Sequence, residues 1–478
     1  MMYMKVNNRP FIVAVILLSA ISALGQQFGV CDDLALIWVG ARHRPDWNKE
    51  LFTPYLVHEF PDGHKSWLFD GFLMIDGWTN GERYEGEDYN TYINRRYTFG
   101  EANYTPADKD MWEWFLHRQL GTYDGLACRA LDDRIGELLP ELGEPNYKHK
   151  VVMTLPIPYQ AYNGWGKIDG KSLNFGILDD RLAAMKWYVD LLLEEWDKAD
   201  FKNIELAGIY WLRESISDSF YEVACAKAMS EYAHEKNLQM FWIPYYRATH
   251  YADGKSYGID MVYHQPNYVF TLDRPREQLE NSINDAYDYD LGMLIEFEGC
   301  CISGVDDGFN DTRTLVPQGN SCLYEHSVNH AFYDRFVEYV DVFEEFGVFD
   351  FMPVGYYAGY QAVYDFVHSD NPKDQEIINR LASIIEQRHI LGGWYEASAS
   401  VAEVIGDARA TVYGLEGAIY VSDFAEGKVD IYSADGRLVT NRNVSVDDDA
   451  FRYGVAIPCP PGVYLVKTGG VTSKVIVY

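Results

Sequence analysis

Eight short apolar runs, separated by longer amphipathic stretches, are the first pattern along the chain. In order they are residues 34–40, 68–76, 150–158, 205–214, 238–246, 261–267, 292–299 and 351–359. Their nearly continuous apolar character is typical of parallel strands that are buried on both faces. The pattern therefore predicts eight strands of one parallel sheet.

Helical patterns lie between most of these runs. The clearest spans 179–198, where apolar residues from Leu182 to Trp196 recur every three or four positions after Asp179, a predicted N-cap. Further helices are predicted at 106–120, 218–236, 274–287, 327–345 and 373–389. This alternation predicts an α/β fold, a (β/α)8 TIM barrel over residues 26–402. An open doubly wound sheet is the alternative, although no glycine-rich phosphate loop follows the first strand.

The pattern changes after residue 402. Short β-like runs follow without a helix, and turns such as "SADGR" and "TGG" separate them. Such runs predict a small antiparallel β-sandwich over residues 403–478. The domain boundary is expected between residues 400 and 410.

The first 25 residues have the pattern of a secretory signal peptide. Lys5 and Arg9 precede an apolar run at 11–24, and small residues stand just before Gln26. We expect an exported protein that is periplasmic, on the cell surface or extracellular. A membrane anchor is the alternative, but the run is shorter than the roughly 20 residues that a span needs. No later segment resembles a membrane span.

Charge and cysteine content narrow the function classes. The formal charge is −32, and removal of Lys5 and Arg9 with the signal peptide makes it −34. Such a charge repels phosphate backbones and anionic membranes, which excludes nucleic acid as a partner. Seven cysteines do not form a disulfide framework in a chain of this length. Cys322 forms a disulfide with Cys300 or Cys301, or these cysteines are free buried thiols; the sequence leaves both alternatives open.

Three glutamates stand where two predicted strands end. In a TIM barrel the functional residues lie at the C-terminal ends of the strands. The fourth run ends in "YWLRE", and the alternation of strand side chains points Glu214 inward; the seventh ends in "IEFE", where Glu296 and Glu298 share the inward face. An unpaired buried charge is costly, so these acids need a partner or a function.

A carboxyl pair of this kind is typical of glycoside hydrolysis. One carboxyl protonates the leaving oxygen, and the other attacks the sugar. We predict Glu214 as the acid/base and Glu296 or Glu298 as the nucleophile, with Glu296 preferred. The alternative is a buried ion network in which Arg213, Arg247 or other arginines neutralise the acids.

The other strand ends carry side chains suited to sugars. Aromatic faces stack on sugar rings, and amides and imidazoles bind hydroxyl groups. The predicted sugar-binding residues are Asp76, Tyr159, Trp165, Trp211, Trp242, Tyr245, Tyr246, His264, Gln265, Asn267, Tyr356 and Tyr357. No cofactor and no metal site is predicted, since the acidic segment 306–313 lacks calcium-loop spacing and no HExxH motif occurs.

Several blocks of the chain carry a family resemblance. The blocks "WLFDGFLMI", "PIPYQAYNGWG", "IELAGIYWLRE", "FWIPYYRA" and "GMLIEFE" resemble, in this order, an exported bacterial family catalogued as domain of unknown function 4855. The similarity covers most of residues 30–360. The family name implies no reaction.

Two further resemblances bear on function and delivery. The block placement is similar to that of the clan of retaining glycosidases whose acid/base and nucleophile glutamates end strands four and seven. This resemblance implies the same roles for Glu214 and for Glu296 or Glu298, although Arg213 replaces the usual asparagine. Residues 415–478 resemble the C-terminal sorting domains of Bacteroidetes-type bacteria, which implies delivery to the surface or the exterior.

Together these observations predict an exported, retaining glycoside hydrolase that acts on a poly- or oligosaccharide. The alternative is a non-catalytic glycan-binding or surface-assembly protein on the same barrel.

Overall fold

The structure is a computed structural model of the 478-residue chain. It describes residues 31–39, 45–75, 78–79, 95–96, 105–146, 148–159, 162–302, 330–391, 411–415, 418–422, 427–433, 437–444, 455–460, 462–468 and 471–477. Asp76, Cys322 and the segments 1–25 and 306–313, all named in the predictions above, lie outside these residues.

Eight parallel strands close into a barrel. They are β1 (Asp33–Trp38), β2 (Gly71–Ile75), β3 (His149–Leu155), β4 (Ile204–Trp211), β5 (Gln239–Trp242), β6 (Met261–His264), β7 (Gly292–Glu296) and β8 (Val354–Tyr357). Each strand pairs with the next, and β8 returns to β1 in a register that begins with Asp33 opposite Val354. The predicted (β/α)8 barrel is confirmed, and the open sheet is wrong.

Helices follow most of the strands. They are α1 (Lys49–Leu56), α2 (Lys109–Leu120), α3 (Ala127–Leu142), α4 (Leu178–Ala199), α5 (Glu222–Glu235), α6 (Arg276–Tyr289), α7 (His330–Glu345), α8 (Val348–Phe351), α9 (Ala362–Val367) and α10 (Pro372–Leu391). A 3₁₀ helix, Tyr251–Tyr257, replaces the helix after β5. None of these described helices has both the length and the apolar character of a membrane span.

Three local predictions need correction. The N-cap of α4 is Ile177 rather than Asp179, which lies in the first turn, where a carboxylate faces the positive end of the helix dipole. β4 ends three residues before Glu214, and β7 ends before Glu298. Strand alternation therefore does not orient Glu214 or Glu298; loop conformation does.

A buried ion cluster closes the N-terminal end of the barrel. The Nε of Arg388, on α10, lies 3.0 Å from both carboxylate oxygens of Asp33, the first residue of β1. The same guanidinium donates to the carbonyls of Asp32 (2.8 Å) and Met352 (3.1 Å). Because Met352 lies just before β8, one side chain joins the last helix to both strands that close the barrel.

Seven antiparallel strands follow the barrel. They are β9 (Thr411–Leu415), β10 (Ala418–Ser422), β11 (Gly427–Ser433), β12 (Leu438–Val444), β13 (Val455–Pro458), β14 (Gly462–Thr468) and β15 (Val471–Val477). β9, β10 and β13 form one sheet, and β12, β11, β14 and β15 form the other. Ile419 of the first sheet and Val466 of the second belong to the same buried cluster, so the two sheets share a core. The boundary at 400–410 stays a prediction.

Candidate functional site

The barrel brings three carboxyl groups together at the C-terminal end of its strands. Glu214 follows β4, Glu296 is the last residue of β7, and Glu298 lies two residues further on. The charges of Glu214 and Glu298 both raise the pKa of Glu296, which requires the three groups to be close. β4 and β7 thus contribute to one site.

Glu214 combines exposure to solvent with a raised pKa. Its side chain is exposed, yet protein surrounds it closely enough that burial raises its pKa, and a hydrogen bond from Gln265 opposes this rise. The Glu214 carbonyl accepts a hydrogen bond of 3.1 Å from the Tyr245 backbone N–H. A solvent-accessible carboxyl with a raised pKa is suited to proton transfer.

Glu296 is fully buried and surrounded by hydrogen-bond donors. The Tyr268 backbone N–H and the Tyr339 hydroxyl each donate to Oε2 at 3.0 Å, and the Asn267 side-chain amide lies 3.4 Å from Oε1. Burial is the largest effect on its pKa and raises it to about 8, although the bonds from Tyr268 and Tyr339 act in the opposite direction. Glu296 is therefore mostly protonated at neutral pH.

One turn after β6 contacts both of these glutamates. Gln265 donates to the Glu214 carboxyl. Asn267 and Tyr268, which follow two and three residues later, contact the Glu296 carboxyl. Asn267 has a positive φ of 49°, which bends the chain sharply between the two contacts. The turn at 265–268 therefore fixes the two carboxyl groups relative to each other.

Two side chains outside the barrel hold this turn in place. The Gln278 amide on α6 donates to the Pro266 carbonyl at 2.7 Å. Arg335 on α7 donates to the Tyr268 carbonyl at 3.0 Å, and its guanidinium lies 4.0 Å from the centre of the Tyr268 ring. The helical layer thus supports the turn from behind.

Glu298 contacts the neighbouring strand β8, whereas Glu296 contacts the turn after β6. The Tyr357 hydroxyl at the end of β8 donates to its Oε1 at 3.0 Å, and the side chain is 7% exposed. A Cβ at Gly359 would lie 2.8 Å from the Glu298 Cγ, and Gly359 has a φ of +51°. Only glycine leaves room for Glu298 in this position.

The arginines proposed as neutralising partners are engaged elsewhere. Arg213 forms an ion pair with Glu222, the first residue of α5, and Arg247 donates to Asp285 on α6 at 2.9 Å. Within the described part of the chain, no basic side chain forms an ion pair with Glu214 or Glu296. The buried ion network with Arg213 and Arg247 is therefore wrong for Glu214 and Glu296.

Five predicted sugar-binding side chains are buried away from this site, and the prediction is corrected for them. They are Trp165, Trp211, Trp242, His264 and Tyr356, each at most 1% exposed. Trp211 and Trp242 are register partners of β4 and β5, so they point to the same side of the sheet. The Trp242 ring packs against Gly254 of the 3₁₀ helix outside the barrel, and its N–H donates to the Arg213 carbonyl at 2.8 Å.

Packing explains the burial of two others. Trp165 lies edge-on to Trp112 of α2, with 5.2 Å between the ring centres. The Tyr356 hydroxyl donates to Asp33 at 2.6 Å, in the ion cluster at the opposite end of the barrel. Neither ring has a face available to a ligand.

His264 faces the helical layer. Its neighbour Tyr263 reaches across the barrel to the Cys31 carbonyl at 3.3 Å, so alternation turns His264 outward. The imidazole stacks on Tyr251 at 5.0 Å, and burial lowers its pKa to about 4. It is a neutral packing residue at ordinary pH.

Four of the remaining predicted residues contact the glutamates or their backbone. Gln265 and Asn267 contact the carboxyl groups themselves, and Tyr357 contacts Glu298. Tyr245 is 41% exposed beside Glu214, whereas Tyr159 and Tyr246 are half-buried at the ends of β3 and β5.

Sequence reasoning missed two donors to Glu296. Tyr339 lies on a predicted helix, and a buried tyrosine hydroxyl always needs a partner, but the sequence does not identify which one. The donor at Tyr268 is a backbone N–H, which no side-chain pattern reveals. Only its position directly after "HQPN" hinted at a contact.

The open question of the cysteines is partly answered. Cys300 is disulfide-bonded, whereas Cys301 is a free buried thiol. The predicted partner, Cys322, lies outside the described residues.

Replacing Glu296 with Gln should weaken the dependence of stability on pH. The pKa of Glu296 is about 8 in the folded protein, against ~4.3 in an unfolded chain. Between these values the folded state binds the extra proton, so the free energy of unfolding falls as pH rises through this window. Gln has no such equilibrium, and the variant should lose less stability from acidic to mildly alkaline pH.

Urea unfolding at about pH 5 and at about pH 8, followed by tryptophan fluorescence, measures how much the free energy of unfolding changes between the two pH values. Glu205→Gln, an exposed glutamate on β4, is the control and should behave like the wild type. Equal pH dependence in the Glu296→Gln variant and the wild type would contradict the raised pKa.

Comparison with known proteins identifies a family. The family described as "Domain of unknown function (DUF4855)" matches residues 33–315. No curated protein matches the chain.

Solved structures of related shape include a GH113 beta-1,4-mannanase, at 11% identity, with coverage of 74% of this chain and 99% of that chain and a TM-score of 0.38. A mutant tryptophan synthase alpha-subunit from the hyperthermophile Pyrococcus furiosus matches at 9% identity, with coverage of 76% and 100% and a TM-score of 0.31.

Proposed function

The chain belongs to the DUF4855 family, and from the carboxyl groups at its barrel mouth we propose that it is an exported glycoside hydrolase acting on a poly- or oligosaccharide. The observation that carries the proposal is the pair Glu214 and Glu296, which come from β4 and β7 and are linked by one turn. Export is proposed from residues 1–25 alone.

The proposed reaction uses the pair in two steps. Glu214 donates its proton to the glycosidic oxygen while the Glu296 carboxylate attacks the anomeric carbon, so that the bond to the leaving group breaks and a glycosyl ester forms. Glu214 then removes a proton from water, the water attacks the same carbon, and Glu296 is released. Glu298, beside Glu296, is the alternative nucleophile.

The protonation of the free protein bears on these roles. Two close carboxyl groups titrate as a unit, and in the unliganded protein the buried Glu296 retains the proton at neutral pH. The proposal therefore requires Glu296 to ionise when a sugar binds. A bound sugar covers Glu214 and raises its pKa, while the positive charge that develops at the anomeric carbon stabilises ionised Glu296.

A screen of the purified chain against a panel of poly- and oligosaccharides tests the proposal, with Glu214→Gln as the inactive control. For a glycan that is cleaved, NMR of the first product gives its anomeric configuration, which is retained if a glycosyl ester forms. Glu296→Ala and Glu298→Ala are then assayed with added azide, which should restore turnover of the variant that lacks the nucleophile and give a glycosyl azide of inverted anomeric configuration. Cleavage of no glycan by the wild type contradicts the proposal.

A second function is favoured by the burial of Glu296. Its carboxyl group is inaccessible and has three donors from the chain itself, as expected of a structural acid in a non-catalytic glycan-binding protein. Such a protein would bind panel glycans without cleaving them. Its affinity would be the same in the wild type and in Glu214→Gln.

A further inference from the structure

Large aromatic side chains are exposed on the loops that follow β4 and β5. Phe220 is 44% exposed, Tyr221 is 49% exposed and Tyr245 is 41% exposed. These loops lie at the same end of the barrel as Glu214. Exposed aromatic rings lose the stabilisation that burial would give them, so three together at a candidate site call for an explanation.

The backbone of the same loops is strained. Phe220 and Tyr221 have φ values of 54° and 61°, and Arg247 and His250 have values of 49° and 65°. Bulky residues rarely adopt this conformation, which is usual for glycine, asparagine and aspartate. Most other positive φ values on non-glycine residues of the described chain fall on aspartate or asparagine: Asp169, Asp200, Asn237, Asn267 and Asp290. Strain on bulky side chains is therefore concentrated in the loops that follow β4 and β5, at the end of the barrel that carries Glu214, and such strain is common at ligand sites.

Hydrogen bonds join the two loops into one surface. The His250 Nε2 lies 2.9 Å from Asp218 Oδ1, which connects the loop after β5 to the loop after β4. The Ile216 N–H donates to the Thr249 carbonyl at 3.4 Å, close to the bond from Tyr245 to the Glu214 carbonyl. The two loops that carry the aromatic side chains are thus joined to each other and, through the Tyr245 N–H, to the backbone of Glu214.

Glu222 fixes the base of this surface. It is 1% exposed, forms the ion pair with Arg213 and accepts a hydrogen bond of 2.8 Å from the Ser217 N–H. Because Glu222 directly follows Tyr221, the strained pair Phe220–Tyr221 is anchored at its C-terminal side. The surface is preorganised.

We propose that Phe220, Tyr221 and Tyr245 form a platform that binds the leaving-group side of a neutral oligosaccharide. The inference rests on the proposed function, because the leaving group lies beside the acid that protonates its oxygen, and that acid is Glu214. Flat aromatic faces bind the C–H faces of sugar rings. Asp218 and Asp253, on the same loops, share a single basic partner, His250, so this group keeps a net negative charge that disfavours acidic sugars, and the ligand is neutral.

Binding is measured by titration calorimetry on the full chain carrying Glu214→Gln, which excludes turnover during the measurement. The probes are cellohexaose, mannohexaose and xylohexaose, with a galacturonic acid oligomer as the acidic probe. Phe220→Leu and Tyr221→Leu keep the apolar bulk but lose the flat ring, whereas Phe220→Trp keeps a flat ring. Tyr289→Leu, an aromatic of 43% exposure at the end of α6, is the matched control.

Each leucine variant on the platform should weaken binding of the responsive neutral hexasaccharide about tenfold, while Phe220→Trp and Tyr289→Leu should not. With Glu214 present, loss of the platform should shift cleavage of the hexasaccharide towards its reducing end, because fewer sugar units are then held on the leaving-group side. Thermal unfolding midpoints confirm that each variant folds.

Failure of the platform and failure of the proposed function give different results. If the wild-type chain cleaves glycans and the leucine variants have the same affinity and cleavage pattern, only the platform is overturned. If the wild-type chain cleaves no glycan but the leucine variants bind the hexasaccharide more weakly, the platform is supported and the proposed glycoside hydrolase function is overturned. Absence of binding to any neutral hexasaccharide, or preference for the acidic probe, overturns the platform.

Discussion

Glu214→Gln should lower turnover of a responsive glycan by about 100-fold to 10,000-fold, the range typical for loss of a general acid. Gln has nearly the same shape and accepts or donates the same contacts, including that with Gln265, but it has no proton to give to the leaving oxygen. Because Glu214 is exposed and unpaired with any base of the described residues, the substitution should leave folding intact.

The leaving group provides the sharpest control for this prediction. An aryl glycoside whose leaving group is already acidic needs little protonation, so the variant should cleave it at a rate much closer to that of the wild type. Glu205→Gln, at the other end of β4, should leave both rates unchanged. Undiminished turnover of the natural glycan by Glu214→Gln would remove Glu214 from the catalytic role.

Arg388→Met should destabilise the protein by about 3 to 5 kcal/mol, the cost of removing one partner of a buried ion pair. The guanidinium is buried and bonds Asp33, the carbonyls of Asp32 and Met352, and the carbonyl of Phe349. Burial alone would raise the pKa of Asp33. The charge of Arg388, together with the contacts of Asp33 with His389 and Tyr356, outweighs this effect, so the pKa of Asp33 is lowered. Without Arg388, a buried carboxyl remains without its main counter-charge.

Urea unfolding measures this loss, with Arg380→Met as the matched control. Arg380 lies two turns earlier on α10 and pairs with Asp341 and Glu344 at the surface, where an ion pair contributes only about 0 to 1 kcal/mol. The Asp33 contribution is present above the ordinary pKa of an aspartate and is lost as pH falls through its lowered value. The gap between the Arg388 variant and the wild type should therefore narrow in acid. Equal destabilisation by both arginine substitutions would contradict a special role for the buried cluster.

The periodicity of apolar residues was sufficient to predict the barrel. All eight strands lie within the predicted runs or one residue beyond them, since parallel strands buried on both faces need continuous apolar sequence. Helices α1, α3, α8 and α9 were missed. Strand ends were placed too late at β4 and β7, because an apolar residue such as Leu212 continues the pattern although the ladder has ended.

The sequence was sufficient to predict which residue types stand at the candidate site, but not which contacts they make. Glu214, Glu296, Gln265 and Asn267 were chosen because they follow strands, and the barrel places them together. Aromatic residues in the same positions divided into two groups: Trp211 and Trp242 are buried, whereas Tyr245 is exposed. Composition does not distinguish them, since an aromatic ring suits a core as well as a sugar.

The sequence by itself determined which fold this chain adopts and which end of the barrel carries acids, because both depend on periodicity and on position along the chain. The tertiary structure decided the partner of each side chain. Glu296 gains its raised pKa from burial against Tyr268 and Tyr339, residues 28 and 43 positions away. Phe220 and Tyr221 are exposed on a loop whose backbone has positive φ values at both residues. Burial, hydrogen bonding and electric field depend on distances in space, which local sequence does not specify.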